Sequence, residues 1–275
     1  MSETVEQQYL FMVPSQKLKK RAIVFTVLSV VVVALSIILE LNPILFLTDG
    51  HHLINLLGEM VPPNVEILWQ KKNIFSSILE TLAMAFLGTF LGASIALIFA
   101  FLAANNTSPH PVVRFMFRSM MSIERVIPKL VIILVFVIAV GLGPFAGMLT
   151  LTISTVGMFG KLFADTIEEI DPEPAEATYA TGATKLQVIK YCIIPQVLPS
   201  FTANLFYAFD VNLRSAIGLG IFGGGGIGFE IHMAMKMLRY KDALALILFT
   251  IILIFIFEKF SDYLRSQILN EQTLK

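Results

Sequence analysis

The chain has 275 residues, of which 56% are hydrophobic and 15% charged, with a mean hydropathy of +0.78. Soluble domains average about 45–50% apolar and about 25% charged residues, so this apolar excess cannot fit in one globular core. Twenty basic and twenty acidic side chains cancel, which leaves no net field for nucleic acid; the composition also excludes a disordered chain and a soluble enzyme. The expectation is an all-α, polytopic helical membrane protein in a lipid bilayer. One cysteine, Cys192, excludes an internal disulfide framework, and with the four histidines it forms no metal-ligand spacing.

A helix crosses the ~30 Å hydrocarbon core with about 20 apolar residues. Residues 1–21 read as a polar tail ending in Lys17, Lys19, Lys20 and Arg21, and residues 22–40 as a first, uncleaved span. Residues 41–73 mix Leu, Ile and Phe with Asp49, His51, His52, Glu59 and Pro62-Pro63, too many polar breaks for a crossing. An interfacial segment and a partly ordered loop are both open there. Thr81 to Val113 is charge-free over 33 residues and gives a second span near 76–104, closed by Asn105-Asn106-Thr107-Ser108-Pro109. The uncharged run Leu130 to Gly160 is too long for one crossing. Gly141-Leu142-Gly143-Pro144 breaks it, predicting spans near 120–141 and 145–167. A fifth span runs from Pro199 to Phe222 and a sixth from Asp242 to Tyr263, within a core of residues 74–267 followed by a short tail, 268–275.

Lysine and arginine counts orient this layout. With the N-terminus inside, 14 basic residues fall on the inner side, five on the outer (Lys71, Lys72, Lys236, Arg239, Lys241), and Arg214 within a span. Both termini are expected in the cytoplasm, with residues 41–73 outside.

The inner loop between spans four and five, 172–195, is long yet patterned. Pro172, Pro174, Glu173 and Glu176 favour a helix start, Ala175, Ala177 and Ala180 favour its continuation, and Gly182 interrupts it. Leu186, Ile189 and Ile193 then recur at helical spacing until Pro195 and Pro199. The expected unit is helix, glycine turn, helix, held beneath the membrane.

Glu176-Ala177-Thr178, then Gly182, then Pro195 resemble the EAA loop of ABC importer permeases. Thr178 and Cys192 depart from the family's usual alanine and isoleucine. Val140 to Gly147, Ala180 to Leu186, Pro195 to Pro199, and Asn212 to Ala216 followed by Gly223 to Gly228 resemble the phosphonate-type permeases of these importers, across roughly residues 75–265. One further departure is Arg125-Val126-Ile127-Pro128-Lys129, where relatives often carry glutamate at the last position; no role carries over to Lys129.

The resemblance implies a type I (MetI-like) fold and import of phosphonate or a related oxyanion (phosphite, phosphate) across the bacterial inner membrane. It implies a homodimer, two cytoplasmic ATP-binding subunits and an external solute-binding protein. Glu176, Ala177, Gly182 and Pro195 would couple to the ATPase. No GxxxxGK[ST] phosphate loop, HExxH or nucleophile elbow occurs, so no catalytic residue is assigned, and ATP and Mg belong to the partner. Import of another small solute, such as an amino acid, is the alternative, since the loop reports the motor and not the cargo.

Within span five, Asp210 and Arg214 stand four apart on one face, with Asn212 turned nearly opposite. They form either an ion pair buried between helices, or a site where Arg214 offers its guanidinium to an anion while Asp210 holds it. Asn212, Gly218 and Gly220 complete the candidate substrate pathway. Gly223 to Gly226 read either as a tight turn at the outer surface or as a gate or amide nest for an oxyanion.

Overall fold

The computed structural model describes residues 15–39, 50–70 and 72–273. The readings for residues 1–14, 40–49, 71 and 274–275 lie outside the described residues. Every regular element among the described residues is helical. The chain divides into two units, Met1–Gly58 and Glu59–Lys275.

The first unit holds helix α1, Ser15–Ile38. From Lys20 to Ile38 its mean hydropathy is 2.5, and its described side chains are exposed except the half-buried Ser36. Thr26 and Ser36 return their hydroxyl protons to the carbonyls of Ala22 and Val32 at 2.9 and 2.8 Å. An apolar helix bare on all sides suits a bilayer and not water. Helix α2, Gly50–Met60, follows and ends in the second unit.

The second unit contains α3 (Ile67–Gln70), α4 (Lys72–Ala103), α5 (Pro111–Val126), α6 (Lys129–Val140) and α7 (Pro144–Glu168). It continues with α8 (Glu173–Ala180), α9 (Lys185–Val188), α10 (Ile194–Leu219), α11 (Gly226–Lys236) and α12 (Tyr240–Thr273). Hydrogen bonds define its two ends. At one, the Asn106 amide reaches the Ile167 carbonyl at 2.6 Å and Lys185 Nζ reaches the Ser108 carbonyl at 2.7 Å, gathering the α4–α5 turn, the end of α7 and the start of α9. At the other, Gly143 N–H meets the Gly223 carbonyl at 2.8 Å, and Asn64 bonds Lys241 and Asp242 at 3.1 and 2.8 Å. The described part of 41–73 is thus folded as two short helices, with Asn64 tied to the start of α12.

The long helices pair through small residues. Gly88 and Gly92 of α4 lie against Leu151 and Thr155 of α7: a Cβ at Gly92 would stand 2.5 Å from the Thr155 Cβ and 2.7 Å from the Thr152 carbonyl. In lipid, where apolar burial drives little, such close backbone approach supplies the packing. Ala93, Ala96, Ala100, Ala103 and Ala104 extend the seam into a core with Phe159, Phe163 and Val197.

Two expectations are corrected. Among the described residues five helices are long and apolar enough to cross a membrane, and the third of the six expected spans is not among them. The stretch 120–141 is broken: α5 ends at Val126, Ile127 is extended (φ −82, ψ 119), and α6 is only 12 residues, about 18 Å long. Pro128 causes this, because its ring disfavours helix at the preceding residue and removes a donor. Second, the loop's second helix does not stop at Pro195 or Pro199. It continues from Lys185 through a π-helical stretch, Ile189–Ile193, into α10 and on to Leu219. The wider turn just before Pro195 eases entry of a residue with no N–H to give. The Gly223–Gly226 turn packs against Glu80 and Thr81 of α4.

Candidate functional site

Helix α8 carries Glu176 and Ala177 and has no buried residue. Asp171 caps it, accepting the Glu173 N–H at 3.0 Å. The chain then turns at Gly182 (φ +87), whose N–H bonds the Tyr179 carbonyl at 2.9 Å, a backbone region that side chains with a Cβ resist. Gln187 accepts the Thr184 N–H at 2.7 Å and starts α9. Glu176, Ala177, Gly182 and Pro195 are all exposed, beside the large exposed side chains Tyr179, Leu186 and Tyr191. The two departures from the loop pattern touch each other: Thr178 Oγ1 and Cys192 Sγ are 2.9 Å apart, fastening α8 to the π-helical stretch.

Behind this surface lies a polar lock absent from the sequence reading. Arg118 of α5 pairs with Glu168 at 2.7 Å and Asp165 at 3.7 Å, and its Nε donates to the Ala103 carbonyl at 3.1 Å. Glu168 also accepts the Asn105 N–H at 2.5 Å. The acidic run ahead of the loop is therefore partly spent on holding α4, α5 and α7 together. The signal was Arg118 itself, a cation at helical spacing from Arg114 and Arg125.

The polar residues of α10 divide by face. Asn212 is buried and donates to Thr89 Oγ1 at 2.9 Å and Thr155 Oγ1 at 2.8 Å, joining α10 to α4 and α7. Asp210, also buried, has its ion-pair partner on α12: Arg265 at 3.6 Å. Arg214, with a side chain 46% exposed, pairs with Glu258 of α12 at 3.0 Å. The contact between Asp210 and Arg214 is thus replaced by two rungs between α10 and α12. Gly218, one turn beyond Arg214, is exposed, with open space where a side chain would start. Gly220 is buried, and a Cβ there would stand 2.6 Å from the Gly225 carbonyl.

The glycine turn combines positive φ at Gly223, Gly225 and Gly226 with two amides, those of Gly226 and Ile227, that are already satisfied. Gly226 N–H is accepted by the Glu80 carboxylate at 3.2 Å and Ile227 N–H by Thr81 Oγ1 at 2.9 Å. These protein acceptors fill the start of α11, where a free oxyanion would otherwise bind. Among the described residues no group of three His, Cys, Asp or Glu side chains could hold a metal ion.

Residues 96–269, more than half of the chain, match the family of binding-protein-dependent transport system inner membrane components. The chain belongs to this family. It is similar to the phosphite transport system permease protein PtxC of Stutzerimonas stutzeri, 36% identical over 77% of this chain and 76% of that protein. It is also 33% identical to the phosphate-import permease protein PhnE of Mycolicibacterium smegmatis, over 86% of this chain and 44% of that protein. This chain thus spans less than half the length of the mycobacterial relative. Among solved structures, the inward-facing MetNI methionine ABC transporter matches with a TM-score of 0.63 at 19% identity, over 74% of this chain and 97% of that one. A bacterial alginate importer matches with 0.64 at 14% identity, over 92% and 98%. The fold is that of a type I ABC importer permease, and this family member is the membrane subunit of a transport system.

Proposed function

We propose that the chain is the permease of an ATP-driven importer that carries phosphonate or a related oxyanion, phosphite or phosphate, across the bacterial inner membrane. The identity of a third or more to a phosphite and a phosphate permease supports the cargo class. The observation that carries the coupling role is α8: a capped helix without a buried residue, presented between Asp171 and the Gly182 turn. Such a helix can fill a groove on a cytoplasmic ATP-binding subunit, which binds ATP and Mg and supplies the energy. Glu176, Ala177, Gly182 and Pro195 are assigned to that contact.

One chain supplies half of a pore, so two copies pair about a two-fold axis, and a solute-binding protein delivers cargo from outside. ATP binding draws the two ATPase subunits together, and α8 passes that closure to α10 through the π-helical stretch. The bundle then shifts between outward- and inward-facing states. Asp210, Asn212, Arg214, Gly218 and Gly220 are assigned to the pathway wall. Arg214 and Gly218 face it directly, whereas Asn212 and Gly220 shape it from behind.

The test is uptake by the complete complex in proteoliposomes, comparing methylphosphonate, phosphite and phosphate. Glu176→Lys and Gly182→Pro should abolish uptake while the protein still inserts and assembles. Normal ATP-dependent uptake by either variant would overturn the coupling role. The second reading, an amino-acid importer, draws on the likeness to the methionine transporter fold; uptake of an amino acid and of none of the three anions would establish it.

A further inference from the structure

We propose that Lys129 is a cargo-contacting residue and, with Ser215, forms an oxyanion-binding station at mid-membrane depth. This rests on the oxyanion reading above and assigns the residue that carries its selectivity. Lys129 opens α6, and every residue after it in that helix is apolar. Its half-buried ammonium donates to Ser215 Oγ at 3.0 Å. The Ser215 hydroxyl gives its own proton to the Val211 carbonyl at 2.9 Å, so its oxygen is fixed as an acceptor and aims the lysine. No other hydrogen bond and no carboxylate within 4 Å engages Lys129 among the described residues; Glu124 neighbours it across the Pro128 break without pairing. An ammonium has three donors, so two are free.

Arg214 precedes Ser215 and spends one nitrogen on Glu258, leaving the rest of its fork unengaged among the described residues. Gly218, four residues on, keeps the next turn of this face open. Depth follows from helix rise. Lys129 starts α6, about 18 Å below the Gly141–Gly143 turn, and Ser215 lies about 12 Å along α10 from Gly223, which that turn grips. Both values fall near the middle of a ~30 Å core. A cation there is costly unless it faces protein partners, water or a ligand, and one hydroxyl with a carboxylate beyond ion-pair distance is a meagre set of partners. An ammonium with two free donors matches a small tetrahedral anion that must bind and then leave.

The competing role is a plain tether between α6 and α10, and the variants separate the two. Lys129→Gln retains a donor for Ser215 but loses the charge; Lys129→Arg retains the charge; Ser215→Ala removes the tether alone. The complete complex in proteoliposomes, supplied with saturating loaded binding protein, is assayed with phosphite, methylphosphonate and phosphate. Basal ATP hydrolysis and thermal stability are read alongside. Lys129→Gln should lower uptake at least about tenfold, the loss of one charge-assisted contact, with basal hydrolysis unchanged. Lys129→Arg should stay within about threefold, and Ser215→Ala should fall less than Lys129→Gln. Wild-type uptake by Lys129→Gln, or a loss by Ser215→Ala that matches or exceeds it together with lowered stability, would overturn the station. A wild-type complex that carries an amino acid and none of the three anions would overturn the oxyanion reading itself, before any variant is made.

Discussion

Asn212 shows how a polar residue earns its place inside an apolar bundle. The Thr89 and Thr155 hydroxyls give their protons to the carbonyls of Ala85 and Leu151 at 2.6 and 2.7 Å, so both oxygens can only accept. The amide of Asn212 is the group that fits, offering two protons to two acceptors. Interhelical hydrogen bonds in membranes average about 0.6 kcal/mol, so Asn212→Leu should lose roughly 1 kcal/mol for both. Asn212→Asp should be worse, because a carboxylate would face two oxygens with no proton to share. Thermal unfolding in detergent ranks the variants; an aspartate as stable as leucine would refute this polarity. The same logic reads Thr178 and Cys192. Each departs singly from the loop pattern, and their contact makes one departure the partner of the other.

At the scale of elements, contact between α4 and α7 depends on absent side chains. Gly92→Ala should destabilise the bundle by about 1–3 kcal/mol, because its Cβ would meet the Thr152 carbonyl, which is backbone and cannot rotate aside. Gly218→Ala should leave the melting temperature unchanged, since nothing lies within 4 Å of its Cβ. Fluorescence-detected thermal unfolding of both variants distinguishes packing glycines from pathway-facing ones, and equal losses would contradict that division. The five long helices among the described residues, α1, α4, α7, α10 and α12, were legible because apolar runs and a Gly-Pro break report hydropathy directly, although the start of α10 was placed late. The break at Pro128 carried the same signal as Pro144, yet the apolar run around it outweighed the proline. The opposite error occurred at Pro195 and Pro199, which read as stops although a π-helical stretch carries the helix past them. Composition locates apolar length; it does not report how a backbone accommodates a missing donor. The candidate site was legible by residue type and not by partner: Asp210 and Arg214 lie four apart on one face, but their charges are matched across helices by Arg265 and Glu258.

For the whole molecule, the two ends of the bundle differ in charge, and that difference predicts its orientation. The end gathering the α4–α5 turn, α8 and the start of α9 carries Arg114, Arg118, Lys161, Lys185 and Lys190, whereas Lys236, Arg239 and Lys241 lie between α10 and α12 at the other. Positive loops stay in the cytoplasm, so α8 should face inward, where ATP is available. Cys192 is the one native thiol, and replacing it with alanine provides a background for single reporters. Gly141 and Lys185 are exposed residues at opposite ends, and neither would clash as cysteine: open space surrounds Gly141, and Lys185 offers a long side chain to replace. In intact cells, a membrane-impermeant maleimide should label Gly141→Cys and spare Lys185→Cys, which should react only after permeabilisation. Gly141 has φ +92, so its cysteine variant needs a check of assembly before labelling. Leu142→Cys, next in the same turn and exposed, serves where that check fails. Reversed labelling would place α8 outside, out of reach of any ATPase, and would overturn the orientation and the coupling role together.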